Sequence, residues 1–170
     1  MHRHIHEKVI LKKFSLPAAA LVAVLVFQPI ALAASSSLPS VFLEDLTTAE
    51  VVAAIRDGKT TIVIPVGGTE QNGPHMALGK HNVRAKALAG KVAQQLGNAL
   101  VAPVVAYVPE GHIEPPTEHM RFAGTISVPE AAFKSILDAA GRGFKRHGFL
   151  NIVLLGDSGN YQTALKAVAD

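Results

Sequence analysis

TIVIPVGGTEQNGPHMALGKHN, residues 61–82, opens with the short apolar run Ile62-Val63-Ile64, the pattern of a buried strand. Pro65 and then Gly67-Gly68 are expected to end it. Behind the glycines come Glu70, Gln71, Asn72, His75, Lys80, His81 and Asn82. A buried strand that empties into a glycine-rich polar loop is where open α/β sheets place their binding sites.

The flanks repeat the alternation. Upstream, Thr47-Thr48-Ala49-Glu50 has the capping-box pattern, with Thr47 as N-cap, and predicts a helix through Val51, Val52 and Ile55 that stops at Asp57-Gly58. Downstream, Val83, Ala87, Leu88, Val92 and Leu96 recur at helical spacing and predict an amphipathic helix ending at Gly97. Residues 100–105 form a second apolar run, interrupted by Pro103, which reads as a strand near an edge. PEGHIEPPTEHMRF, residues 109–122, has no period and reads as a loop. Ser127-Val128-Pro129-Glu130 is a second capping-box pattern, opening a helix with Phe133, Ile136, Leu137, Ala140 and Phe144. Residues 150–155 read as a third buried strand, followed by the polar loop GDSGN at 156–160 and the start of a last helix from Ala164.

This order predicts an α/β fold: a layered domain with a mostly parallel sheet flanked by helices. Right-handed crossovers would bring the Glu70 loop and the Asp157 loop to one rim. Three strands make a thin sheet, and Asp170 falls within a helix that has no C-cap, so the expectation is an incomplete domain over residues 46–170. A short sheet with an open edge favours association, which makes a homo-oligomer the expected state.

Residues 1–33 have the pattern of a secretory signal peptide: basic Arg3, Lys8, Lys12 and Lys13, an apolar run over 16–27, and Ala31-Leu32-Ala33 as cleavage site. The run is too short to span a bilayer comfortably, which takes roughly 20 residues, and the rival reading is an uncleaved N-terminal anchor. Cleavage near Ala33 leaves no stable membrane span and places the protein in the periplasm or outside the cell. Residues 34–45 then read as a linker. The leader carries four Lys/Arg and one acid, so 12 of each sign remain and the mature chain is formally neutral. No basic surface is left to suggest nucleic acid. The absence of cysteine excludes thiolate metal sites and cysteine nucleophiles.

Glu70, His75 and His81 on one loop and Asp157 on another are oxygen and imidazole groups that zinc or manganese accepts. Taken alone, His75 or His81 reads first as a hydrogen-bonded structural residue, and His112 and His119 read first as plain loop residues. Ser158 sits after a strand, but GDSGN is not a nucleophile elbow. Gly67-Gly68 matches neither a Walker A loop nor a dinucleotide fingerprint.

Three segments in order resemble the creatininase (creatinine amidohydrolase) family. Residues 66–76, VGGTEQNGPHM, resemble its G-[ST]-x-E-Q-H-G-P-H-L-P motif. Residues 119–127, HMRFAGTIS, resemble H-x-x-F-P-G-T-x-S, and residues 148–160 resemble G-F-x-x-[IV]-x-L-x-N-G-H-G-G-N. The resemblance implies a layered α/β domain and a metal-dependent hydrolase of cyclic amides and related C–N bonds. Its first glutamate ligand falls on Glu70. Its next histidine falls on Asn72, its bridging aspartate on His81, its glycine-loop histidine on Ser158 and a second-metal position on Asn160. A neutral imidazole has one free lone pair and cannot bridge two cations, so at most one ion is expected. Glu70, His81 and Asp157 are the expected ligands. Glu70, Asp157 and Lys80 are the expected catalytic groups, with Lys80 polarising a carbonyl. His75, His119 and Ser158 are the expected substrate contacts. The function this implies is an exported hydrolase of a small amide, cyclic ones included, acting through metal-activated water. The alternative is an inactive homologue that binds a small ligand or a partner.

Overall fold

The computed structural model describes residues 38–170. The leader therefore lies outside the described residues, and none of the described helices is long and apolar enough to cross a membrane. Four helices and three strands alternate: α1 (Thr48–Arg56), β1 (Thr61–Val66), α2 (Lys80–Leu96), β2 (Ala99–Val101), α3 (Glu130–His147), β3 (Asn151–Gly156) and α4 (Gln162–Ala169). The strands form one parallel sheet in the order β2-β1-β3.

The Thr47 capping box forms as expected: Thr47 accepts from the Glu50 amide and Glu50 reaches back to the Thr47 amide. Gly97 (φ 73°) and Gly148 (φ 109°) end α2 and α3 in the left-handed region that favours glycine.

Pro65 does not end β1, which runs on to Val66. In register, Val63 faces Val101, where β2 stops, so no β2 carbonyl waits opposite Pro65 and its missing N–H costs no ladder bond. Every residue of this central strand is buried.

Three expectations need correction. On α2 the buried face is His81, Ala85, Ala89, Gly90 and Ala93, while Val83, Leu88 and Leu96 are exposed. The helix lies close on the sheet and Phe42, so small residues face inward; a Cβ on Gly90 would come within 2.7 Å of the Phe42 ring. Ser127 does not cap α3, whose N-cap is Pro129. Its hydroxyl accepts from the Glu110 amide (2.9 Å) and donates to the Gly111 carbonyl (2.7 Å), pinning the loop between β2 and α3. Finally, β3 is half-exposed, with Val153 38 % exposed, because it is an edge strand among the described residues. The stretch read as a linker also contributes structure from Leu38 onward: Phe42 bridges to Val101 and Leu43 packs on the core.

The main core lies between β1, α3 and α4, where Ile62, Ile64, Leu100, Phe133, Leu137, Phe149 and Tyr161 are almost fully buried. A smaller cluster of Val63, Ala89, Ala93, Ala99 and Val101 fills the α2 side. The functional loops leave the carboxyl ends of β1 and β3, over this second layer.

Candidate functional site

Parallel strands place the loops after β1 and β3 side by side, and the side chains show the contact. His81, on the first turn of α2, stands between two carboxylates. Its Nε2 lies 2.8 Å from Glu70 Oε1 and its Nδ1 lies 2.6 Å from Asp157 Oδ2. All three side chains are less than 10 % exposed. Arg84, one turn along α2, meets the other Asp157 oxygen at 2.6 Å through Nε. Glu70, His81 and Asp157 are thus brought together, with both His81 ring nitrogens facing carboxylate oxygens.

A second group completes a smaller constellation. Glu110, on the loop pinned by Ser127, is fully buried. Its Oε2 accepts from Asn160 Nδ2 at 3.0 Å. His119 holds its Nδ1 3.2 Å from the Gln71 carbonyl and its Nε2 3.4 Å from Glu70 Oε2. One ligand atom each from Glu70, Glu110 and His119 lies within 4.8 Å of the others.

Glu70 Oε2 and Glu110 Oε1 are buried and have no hydrogen-bond partner. Buried polar atoms are paired as a rule, so two orphaned carboxylate oxygens facing one imidazole require an explanation. A divalent cation supplies one. Two carboxylates and an imidazole are a donor set that zinc and manganese accept, with room for a further ligand. Burial, followed by the neighbouring Glu70 carboxyl, pushes Glu110 up to about 8, against the opposing pull of the Asn160 donor. Without a cation, burial keeps the Glu110 carboxyl protonated at neutral pH.

The remaining expected residues sit around this centre. Lys80 Nζ donates to Asn72 Oδ1, and Asn72 Nδ2 donates to the Glu70 carbonyl at 2.9 Å, so Lys80 is tied to the Glu70 loop. His75 is exposed on a turn of the same loop. Ser158 directs its amide to Tyr161 Oη (3.0 Å) and its hydroxyl accepts from the Asn160 amide. A cleft of about 440 Å³ bounded by Gly111, His112, Glu118, Ser127 and Asn160 adjoins the centre at Asn160, a volume suited to a small molecule.

Three participants were missed as site residues. Glu110 reads as an ordinary loop acid, and no spacing links it to Glu70. Arg84 left a usable signal: Lys80 and Arg84 sit at the start of α2, which has no acid in its first turn. Cations there oppose the helix dipole and call for an anionic partner from elsewhere. Tyr161 belongs to no motif, and its ring lies in the main core. Its hydroxyl accepts from the Asp157 and Ser158 amides and lies 2.9 and 2.7 Å from the Val66 and Gly67 carbonyls.

Residues 44–170 match the creatininase family, described as creatinine amidohydrolase. The chain is 37 % identical over 113 residues to the mycofactocin precursor peptide peptidase of Mycolicibacterium smegmatis, covering 64 % of this chain and 43 % of that one. It is 30 % identical over 126 residues to the creatinine amidohydrolase of Pseudomonas putida, covering 74 % of this chain and 47 % of that one. A crystal structure of creatinine amidohydrolase superposes with a TM-score of 0.68 at 28 % identity, over 78 % of this chain and 50 % of that chain. Related solved structures are described as a manganese creatininase and a mutant of Zn-Zn type. The chain spans about half the length of these relatives. With the family's match over most of its length and the family's parallel sheet beneath its polar loops, the chain belongs to the creatininase family.

Proposed function

We propose that this chain carries the metal-binding wall of an amide hydrolase that uses one divalent ion, zinc or manganese. The observation that carries this reading is the pair of unpartnered buried oxygens, Glu70 Oε2 and Glu110 Oε1, facing His119. Glu70, Glu110 and His119 would hold the ion. A divalent ion held there would supply Lewis acidity, to polarise an amide carbonyl and acidify water. His81 and Asp157 keep Glu70 in place. Lys80, tied to the same loop, is suited to draw on a carbonyl oxygen. His119 is about one-third exposed, which leaves the centre open on that side. The cleft beside Asn160 offers space for a small amide. An amidohydrolase and a peptidase among the relatives support C–N hydrolysis as the reaction class. The basic and apolar leader supports export to the periplasm or beyond.

Metal content is the direct test. After dialysis against zinc or manganese, about one ion per chain is expected, and Glu70→Ala should lose it. Chelation should abolish hydrolysis of a panel of cyclic and linear amides, and added ion should restore it. Substoichiometric metal that Glu70→Ala leaves unchanged would sink the reading. Export is tested separately by sequencing the amino terminus of secreted protein. A start near Ala34 is expected, and Met1 would overturn it.

One observation favours a second reading. The Asn72 amide is committed to Lys80 and to the Glu70 carbonyl, so it offers nothing further to an ion. An inactive homologue that binds a small ligand fits this as well. An ion bound in full without hydrolysis of any amide in the panel would select it.

A further inference from the structure

Each buried carboxylate at the centre has one oxygen fixed and the other free. Asn160 fixes Oε2 of Glu110, and His81 fixes Oε1 of Glu70. The free Glu70 Oε2 lies 3.4 Å from His119 Nε2, and Glu110 brings a carboxylate oxygen within 4.8 Å of ligand atoms on both. Which oxygen of Glu70 stays free therefore depends on where the His81 ring stands. The ring has a single other polar contact, Asp157 Oδ2, at 2.6 Å. Asp157 is held in turn by Arg84, whose Nε meets Oδ1 at 2.6 Å and whose Nη2 lies 3.4 Å from the Asp157 carbonyl.

Four side chains thus run in series from the surface to the centre. Arg84 is 58 % exposed, while Asp157, His81 and Glu70 are all under 10 %. Arg84 and His81 share one face of α2, three residues apart, so a rigid helix sets their separation. An arginine is always charged and offers a planar fork of donors; here one arm meets Oδ1 and the other the Asp157 carbonyl, which leaves Oδ2 for the ring. Taken away, it would leave Asp157 Oδ1 buried with no donor among the described residues, and Asp157 would turn toward water or toward His81.

We propose that Arg84 is a positioning residue. Through Asp157 and His81 it holds Glu70 in the rotamer that presents Oε2 to a divalent cation. The proposal rests on the metal reading given above. It differs from an ordinary surface ion pair, which would contribute little to stability and nothing to a site two side chains away.

Manganese binding to the apo protein separates the two. Dissociation constants are measured by titration calorimetry for wild type, Arg84→Gln and Arg84→Lys, together with thermal unfolding of each apo form. Residues that orient metal ligands typically change affinity by roughly 10- to 100-fold when removed. Arg84→Gln is expected to weaken manganese binding by at least about tenfold, in an apo form that still unfolds in one cooperative transition, at a midpoint lowered by the unpaired Asp157 oxygen. Arg84→Lys, which keeps the charge, should recover part of the loss. Arg84→Gln binding as tightly as wild type would overturn the positioning role and leave the metal centre standing. Arg84→Lys binding no more tightly than Arg84→Gln would overturn the charge-based coupling. Wild type that binds no manganese would remove the centre itself, and the role with it.

Discussion

Glu110→Gln is expected to flatten the pH dependence of stability of the metal-free protein and to abolish binding of the divalent ion. Glu110 is wholly buried, and burial and then Glu70 push its carboxyl from 4.5 up to about 8. The folded state therefore keeps a proton that the unfolded chain releases from about pH 4.5. Over the window from there to about 8, the unfolded state binds fewer protons, so stability falls as pH rises. The stability is fully present below the unfolded value and is lost as pH passes through the folded one. One such proton gives a slope of up to about 1.4 kcal/mol per pH unit. Glutamine keeps the shape and the contact with Asn160 but has nothing to ionise. Urea unfolding between pH 5 and 8, with chelator present, reads the slope directly. The same slope in both proteins would show that Glu110 does not hold the proton. The wild type should also release a proton as it takes up the ion, while the variant takes up none.

Tyr161→Phe is expected to cost about 2–6 kcal/mol, from roughly 1–3 each for the Ser158 amide and one carbonyl left unsatisfied; the Asp157 amide keeps its bond to the Val66 carbonyl at 3.2 Å. The Tyr161 hydroxyl receives two amides, Asp157 and Ser158, from the loop after β3. It gives its single proton to the Val66 or Gly67 carbonyl at the end of β1. Phenylalanine preserves the ring and its contact with Phe133, whose centroid lies 5.7 Å away. The substitution therefore isolates the hydroxyl. Burial pushes this phenol up to about 12, so it stays protonated across the working range. A loss below about 0.5 kcal/mol in chemical denaturation would mean that water replaces the hydroxyl at no cost. Because the hydroxyl ties the Asp157 loop to the Glu70 strand, weaker metal binding should accompany the loss of stability.

Local signals in the chain carried most of the architecture. The Thr47 capping box, the helix stops at Gly97 and Gly148, and the alternation of elements are local chemistry, and they predict the parallel sheet. The sharing of one rim by Glu70 and Asp157 follows from that topology alone. The α2 face was not legible. Periodicity finds large apolar residues, and this helix buries alanines because the sheet and Phe42 lie too close for anything larger. Pro65 misled for a related reason: its effect depends on what lies opposite, and β2 has already left the ladder. Ser127 has the residue type of a cap, but its hydroxyl is used by the Glu110 loop. Glu110 itself was out of reach, since only the folded chain shows that its carboxyl is buried against Glu70. Family resemblance located Glu70 and the loops around it. It did not point to Glu110, because that residue lies outside the three motifs.

The Glu70 loop is tied at both ends. The Glu70 amide bonds the Leu78 carbonyl at its base. Asn82 holds the Gly68 amide (2.8 Å) and Thr69 Oγ1 (3.1 Å). The fit is so close that a Cβ on Gly67 would lie 2.8 Å from the Asn82 Cα. Beyond Gln71, whose carbonyl meets His119, and Asn72, which ties Lys80, residues 73–77 form a closed excursion whose length is independent of the positions of Glu70 and His81. Added residues there would cost little in closure entropy, which grows only slowly with loop length. The rim of the site can be lengthened or rebuilt while the carboxylates keep their places. Such an arrangement separates the length of the rim from the geometry of the centre.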